Sequence, residues 1–300
     1  MAEEMVLHKM KPAGLVAGGQ WRQRWRSVRR FVNNGPVLVA LAILFCIIAA
    51  ALLAPWLNTI DPSQINPSER LSGFSAENWF GTDALGRDVY SRVVYGARIS
   101  LIIGAGVALT SMAAGLLIGV VAGYFRAADA IIMRIMDGLM AIPGILLAIA
   151  LVSLSGASLM TVLVAITIPE IPRVVRLVRS IILSIRSEPY VEAAVTLGTR
   201  LPTLLMRHVI PNTIAPLIVQ GTYVCASAML TEAVLSFLGV GISPEVPSWG
   251  NIMAEGRMYF QLFPSLILCP GIFLSLVVLS VNLLGDAMRD YLDPKMAEKL

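Results

Sequence analysis

Three groups of residues in this 300-residue sequence have types and spacings that suit chemistry or docking. The first is Glu192-Ala193-Ala194, followed by Gly198, Arg207, His208 and Pro211, with Arg173, Arg176, Arg179, Arg186 and Arg200 nearby. Alanine favours helix, and an acid in the first turn suits the helix dipole, so 192–197 is expected to be a short helix. Gly198 permits a left-handed turn at its end. Leu201-Pro202 then opens a second helix over 203–208 that ends before Pro211. Leu197, Leu201, Leu204 and Leu205 are available as apolar anchors, and a small helix with such anchors and a charged rim fits a groove on a partner protein.

The second group is ionisable residues within apolar stretches. Arg134 with Asp137, and Glu170 with Arg173, stand three residues apart and share a helix face. Both pairs fall near span ends, where long side chains reach water, so a structural role is favoured for them. Glu232 has no basic residue within one helical turn. It is the candidate pathway residue, the alternative being a bond to a neighbouring helix. The third group is Gly115, Gly119 and Gly123, spaced four apart with Gly104 and Gly106 before them. They form a groove for close helix approach, either within the chain or at a subunit interface.

Several chemistries are missing. Lysine occurs only at 9, 11, 295 and 299, so no Gly-x-x-x-x-Gly-Lys-Ser/Thr phosphate loop exists. Histidine occurs only at 8 and 208, which excludes a His-rich metal cluster or a His-Glu-x-x-His pair. Cys46, Cys225 and Cys269 lie in apolar runs and read as small hydrophobes. No catalytic, cofactor or metal residue is expected, and any ATP and Mg would be bound by partner subunits.

The elements that must hold these residues are membrane spans. Apolar residues make up 57% of the chain and charged residues 14%, against roughly 45–50% and about 25% in soluble domains. The first apolar run starts only at Pro36 and ends in Pro55-Trp56, so it is expected to be an uncleaved signal anchor. Spans of about 20 residues are expected at 36–57, 100–125, 212–238 and 263–284. The run 139–169 is long for one span. The turn-like Ser153, Ser155, Gly156 and Ser158 divide it into 131–154 and 159–181.

Lys and Arg concentrate in cytoplasmic loops. Six spans put the basic segment 1–35, the Arg126 turn, the loop 186–211 and the tail 286–300 together on the cytoplasmic side. The acid-balanced segment 58–97 falls outside, within an all-α polytopic arrangement whose five-helix core is 98–285. Five spans would export the arginine-rich loop or strand the basic N-terminus. Prolines at 143, 169, 172, 216, 264 and 270 sit in or beside spans, where they suit a bundle that opens as well as a rigid one.

The motif Glu192-Ala193-Ala194-x3-Gly198-x9-His208-x-Ile210-Pro211 resembles the EAA signature of ABC importer permease subunits. It departs mildly, with His208 where Ile is common and Ile210 where Leu is. The stretches Phe80 to Arg92, Gly96 to Leu101, Met133 to Asp137 with Pro143, and Asn282 to Pro294 resemble the peptide/nickel branch of that family, nearest its C-type permease subunit. Together they reach from about residue 36 to 294.

The resemblance implies the type I permease fold in a bacterial inner membrane. It implies a heterodimer with a second permease, two ABC ATPase subunits, and a periplasmic binding protein that delivers di- or oligopeptides. It assigns ATPase coupling to Glu192, Ala193, Ala194, Leu197, Gly198, Leu201, Arg207, His208 and Pro211. Segments 58–97 and 239–261 become the expected contacts of the binding protein. Nickel or an opine-like solute is the alternative cargo, and a stand-alone secondary transporter or channel the alternative class. Beyond the lipid bilayer no further partner is implied, and nucleic acid is not one.

Overall fold

The computed structural model describes residues 34–292. The basic N-terminal stretch, all four lysines and His8 lie outside them. The described chain is all-α, apart from one isolated bridge between Thr82 and Asp88.

Helix α1 (Gly35–Leu52) has Pro36 in its first turn, where a missing N–H costs nothing. Two short 3-10 turns, Ala54–Trp56 and Pro67–Glu69, follow in a long connection. Helix α2 (Val89–Tyr124) has 36 residues and is about 54 Å long. It begins well before the expected residue 100. Its polar first turns are helical because Asp88 caps them, accepting from the Ser91 N–H at 2.8 Å.

The expected span 131–154 is not one straight helix. It falls on α3 (Arg126–Met140) and α4 (Gly144–Ser155), which meet at 85°. Pro143 explains the break, since proline disfavours helical conformation in the residue before it. The second division is where the serine cluster places it: α4 ends at Ser155, and Gly156 has a φ of +86°. Helix α5 (Leu159–Ile185) then starts behind Ser158, whose side chain accepts from Thr161 N–H at 3.1 Å.

After α6 (Pro189–Thr196) the chain forms one long helix, α7, over Leu201–Phe237. The second small helix therefore does not end before Pro211. A π-helical turn at Leu205–Val209 relieves the point where the Pro211 ring would meet the carbonyl of Arg207. A short α8 (Trp249–Gly256) lies within the stretch expected to be loop. The last helix, α9 (Ser265–Leu292), runs into the expected tail.

Gly115, Gly119 and Gly123 lie against Val174, Val178 and Ile182 of α5, so their groove serves packing within the chain. The two helices run parallel, because residue numbers rise together along the contact. A Cβ on Gly119 would fall 2.7 Å from Val178 Cβ, and one on Gly123 2.8 Å from Ile182 Cβ. Helix α7 packs antiparallel to α2, with Gly221 on Met112 and Gly104 on Met229. The 186–211 segment thus gathers at the end of the bundle where α2 finishes, and Arg186 donates there to the carbonyls of Gly123 (3.2 Å) and Tyr124 (3.1 Å). Segments 53–88 and 239–264 gather at the opposite end.

Among the described residues, four helices are long and apolar enough to cross a membrane: α1, α2, α7 and α9. The bent α3–α4 pair passes the same test when taken together. Helix α5 has 27 residues but carries Glu170, Arg173, Arg176 and Arg179.

Candidate functional site

The EAA segment forms a helical hairpin at one end of the bundle. Helix α6 starts at Pro189, has Glu192 in its first turn, and ends in a paired hydrogen-bond closure. Gly198 N–H donates to Val195 O at 2.9 Å, and Thr199 N–H to Ala194 O at 3.0 Å. This is the Schellman arrangement, and it requires the left-handed φ of +76° that Gly198 adopts.

Val191, Leu204 and Val209 are buried in the core formed by α2, α5 and α7. Full burial of such side chains stabilises by about 1.5–3 kcal/mol each, so the hairpin is fastened rather than loose. Tyr190 and His208 stack at 6.2 Å between ring centroids, and Asn212 Nδ2 donates to the His208 carbonyl at 2.6 Å.

The expected apolar anchors divide between the two faces. Leu204 faces inward, Leu201 and Leu205 are half-buried, and Leu197 is 86% exposed. Tyr190, Val195 and Met206 are exposed as well, at the same end of the bundle. Glu192, Ala193, Gly198, Arg207 and Pro211 are exposed, while Ala194 and His208 are half-buried. The hairpin thus presents an apolar group with an acid and a base at its rim. Among described residues, no group of three His, Cys, Asp or Glu side chains could hold a metal ion.

Glu232 has no exposed surface. Its Oε1 accepts from Ser236 Oγ and Ser248 Oγ, both at 2.8 Å. Ser248 caps α8, accepting from Asn251 N–H at 3.1 Å. Glu232 therefore ties α7 to the start of α8, and of its two sequence readings the bond to a neighbouring element is the one seen here. Asp137 pairs with Arg176 of α5 at 2.6 Å, not with Arg134 in its own helix. Asp129 likewise binds Arg179, with the second bond at 2.7 Å, so two ion pairs hold α3 on α5. Glu170 and Arg173 do meet, at 3.4 Å.

At the opposite end lies a buried ion network that sequence reading did not assign. Asp83 Oδ2 accepts from Arg87 Nε at 2.6 Å and from the Arg92 guanidinium at 2.8 Å. Both arginines also reach Glu255 of α8, at 2.5 and 3.0 Å. Trp249 is buried beside it, with Nε1 donating to Val93 O at 3.0 Å. Gly86 has a φ of +75°, and an added Cβ would strike the Asn66 backbone. Within the stretch 80–92, part of the segment 58–97 expected to meet a binding protein, Thr82, Asp83, Arg87, Asp88 and Arg92 are buried. It clamps the first connection onto α2 and α8. Its signal was the density of Asp and Arg beside two glycines, which fits a clamp as well as it fits a docking site.

The backbone arrangement has a counterpart among solved structures. The chain is similar to the MetNI methionine ABC transporter in an inward-facing form, with a TM-score of 0.56 and 19% identity over 67% of this chain and 96% of that one. The fold is thus that of an ABC-transporter permease. The chain belongs to the family of binding-protein-dependent transport system inner membrane components, whose model matches residues 115–298. A second model, the N-terminal TM domain of oligopeptide transport permease C, matches residues 19–73.

Two relatives illustrate the similarity. The probable peptide ABC transporter permease protein y4tQ of Sinorhizobium fredii is 54% identical over 93% of this chain and 96% of its own. The dipeptide transport system permease protein DppC of Alkalihalophilus pseudofirmus is 42% identical over 92% and 90%. The family assignment made from the EAA motif and its companions is confirmed.

Proposed function

We propose that this chain is one permease of an ATP-driven importer for di- and oligopeptides. It pairs with a second permease, receives solute from a periplasmic binding protein, and is driven by two separate ATPase subunits that bind ATP and Mg. The chain itself is non-catalytic. Six spans place 186–211 and both ends of the chain in the cytoplasm of a bacterium, counting the bent α3–α4 pair and α5 as the third and fourth. In support, the arginines at 176, 179, 186, 200 and 207 all fall toward that end. Peptide as cargo is supported by the names of the relatives, which cover nearly the whole chain.

The observation that carries the reading is the hairpin Pro189–Val209, fastened through Val191, Leu204 and Val209 with Leu197 and Met206 left facing outward. A rigid, half-apolar projection of this kind suits a groove on an ATPase. Glu192→Ala with Gly198→Asp should abolish ATP-driven uptake and weaken co-purification of the ATPase. If both stay intact, the coupling role is wrong. Peptide uptake in vesicles that hold no ATPase subunit would instead make the chain part of a secondary carrier.

A further inference from the structure

A cavity of about 330 Å³ opens at the corner of the broken helix. Its walls come from three places: the α3–α4 corner with Pro143 and Gly144, Glu170 and Arg173 of α5, and Ser227 and Thr231 of α7. The volume lies at the lower end of the roughly 300–1,000 Å³ typical of small-molecule sites. None of these residues belongs to the coupling hairpin or to the ion network at the other end.

Glu170 is the unusual member. It is only 8% exposed, yet each of its bonds is long. Arg173 reaches both carboxylate oxygens at 3.4 Å, and Ser227 Oγ reaches Oε1 at 3.4 Å. Charge-assisted bonds usually close to about 2.7–2.9 Å. A carboxylate offers about four acceptor positions, so this one keeps capacity for a stronger donor.

Positive charge lies beside Glu170. Arg173 stands one turn further along the same helix with its side chain 58% exposed. The first turn of the twelve-residue helix α4 also faces the cavity at Gly144 and Ile145, with the positive end of the helix dipole. An acceptor and positive charge lining one cavity match a solute that carries both an ammonium and a carboxylate or carbonyl.

We infer that this cavity is a solute-contact site in the translocation path. Glu170 receives the α-ammonium of a short peptide, and Arg173 with the first turn of α4 holds its carboxylate or a backbone carbonyl. The inference rests on the peptide-importer reading and names where in the chain the peptide is met. Glu170, and not Glu232, is then the intramembrane acid that touches solute.

The test uses the full complex of both permeases, ATPases and binding protein in liposomes, with radiolabelled dialanine and tetraalanine as probes. Glu170→Gln should lower ATP-driven uptake at least tenfold while ATPase stimulation by the loaded binding protein stays within twofold of wild type. Uptake within twofold of wild type would overturn the proposal. If Glu170→Gln also loses ATPase stimulation, a second measurement decides. Thr231→Cys, in a background with Cys46, Cys225 and Cys269 replaced by serine, is labelled with a small maleimide during turnover. Peptide-loaded binding protein with ATP should slow labelling at least fivefold over ATP with empty binding protein. Equal labelling rates would sink the inference, whether the thiol is open in both states or covered in both. Absence of any peptide uptake by the wild-type complex would overturn the importer reading itself, and the cavity assignment with it.

Discussion

Gly198 offers a substitution whose cost can be worked from geometry alone. Its φ is +76°, and a Cβ built there meets nothing within 4 Å. Gly198→Ala therefore introduces no clash, and its whole effect is the penalty for an L-residue in the left-handed region, about 1–2 kcal/mol. That energy falls on the α6 closure, where the amides of Gly198 and Thr199 bond to Val195 and Ala194. A change of this size shifts the local open fraction by roughly 5–30-fold.

Hydrogen exchange on the purified complex reads it directly. The Gly198 and Thr199 amides should exchange about 5–30 times faster in Gly198→Ala, while amides in the middle of α2 and α5 are unchanged. Gly198→Asn should be milder, because asparagine enters this region more readily. If Asn proves as damaging as Ala, or if Ala leaves exchange unchanged, backbone strain is not what makes the glycine necessary. Coupling should follow exchange: ATP-driven uptake is expected to fall more for Ala than for Asn, with ATPase co-purification recording the same order.

Two further predictions concern packing. Asp83→Ala removes the acceptor shared by Arg87 and Arg92 and leaves an uncompensated buried charge, which should cost about 3–5 kcal/mol in equilibrium unfolding in mixed micelles. Adding Arg92→Met restores local neutrality and should recover part of that loss; a double variant as unstable as the sum of the singles would show that the charges are not coupled. Gly119→Leu forces a side chain into Val178 and the Val175 carbonyl. It should destabilise the α2–α5 contact by about 1–3 kcal/mol or more, lower the yield of intact complex on gel filtration, and be partly rescued by Val178→Ala.

The sequence by itself determined the class of protein and the position of the EAA hairpin. Apolar runs of span length need helices, and the EAA motif with Gly198 encodes a short helix and its stop through local rules of propensity and capping. Those rules act within a few residues, so they are legible without the fold. The division of 139–169 was legible for the same reason, since serines and Gly156 supply a turn and a cap. What was not legible was any pairing with a partner far away in sequence. Asp137 lay three residues from Arg134, but tertiary packing gave it Arg176. The stretch 80–92 showed its dense Asp and Arg, but Glu255, which pairs with Arg87 and Arg92, lies more than 160 residues beyond it. Glu170 read as the structural acid, paired with Arg173, and Glu232 as the lone pathway candidate. Only the fold could show their surroundings, because it turned Glu232 toward two serine hydroxyls and left Glu170 loosely bonded beside an open cavity.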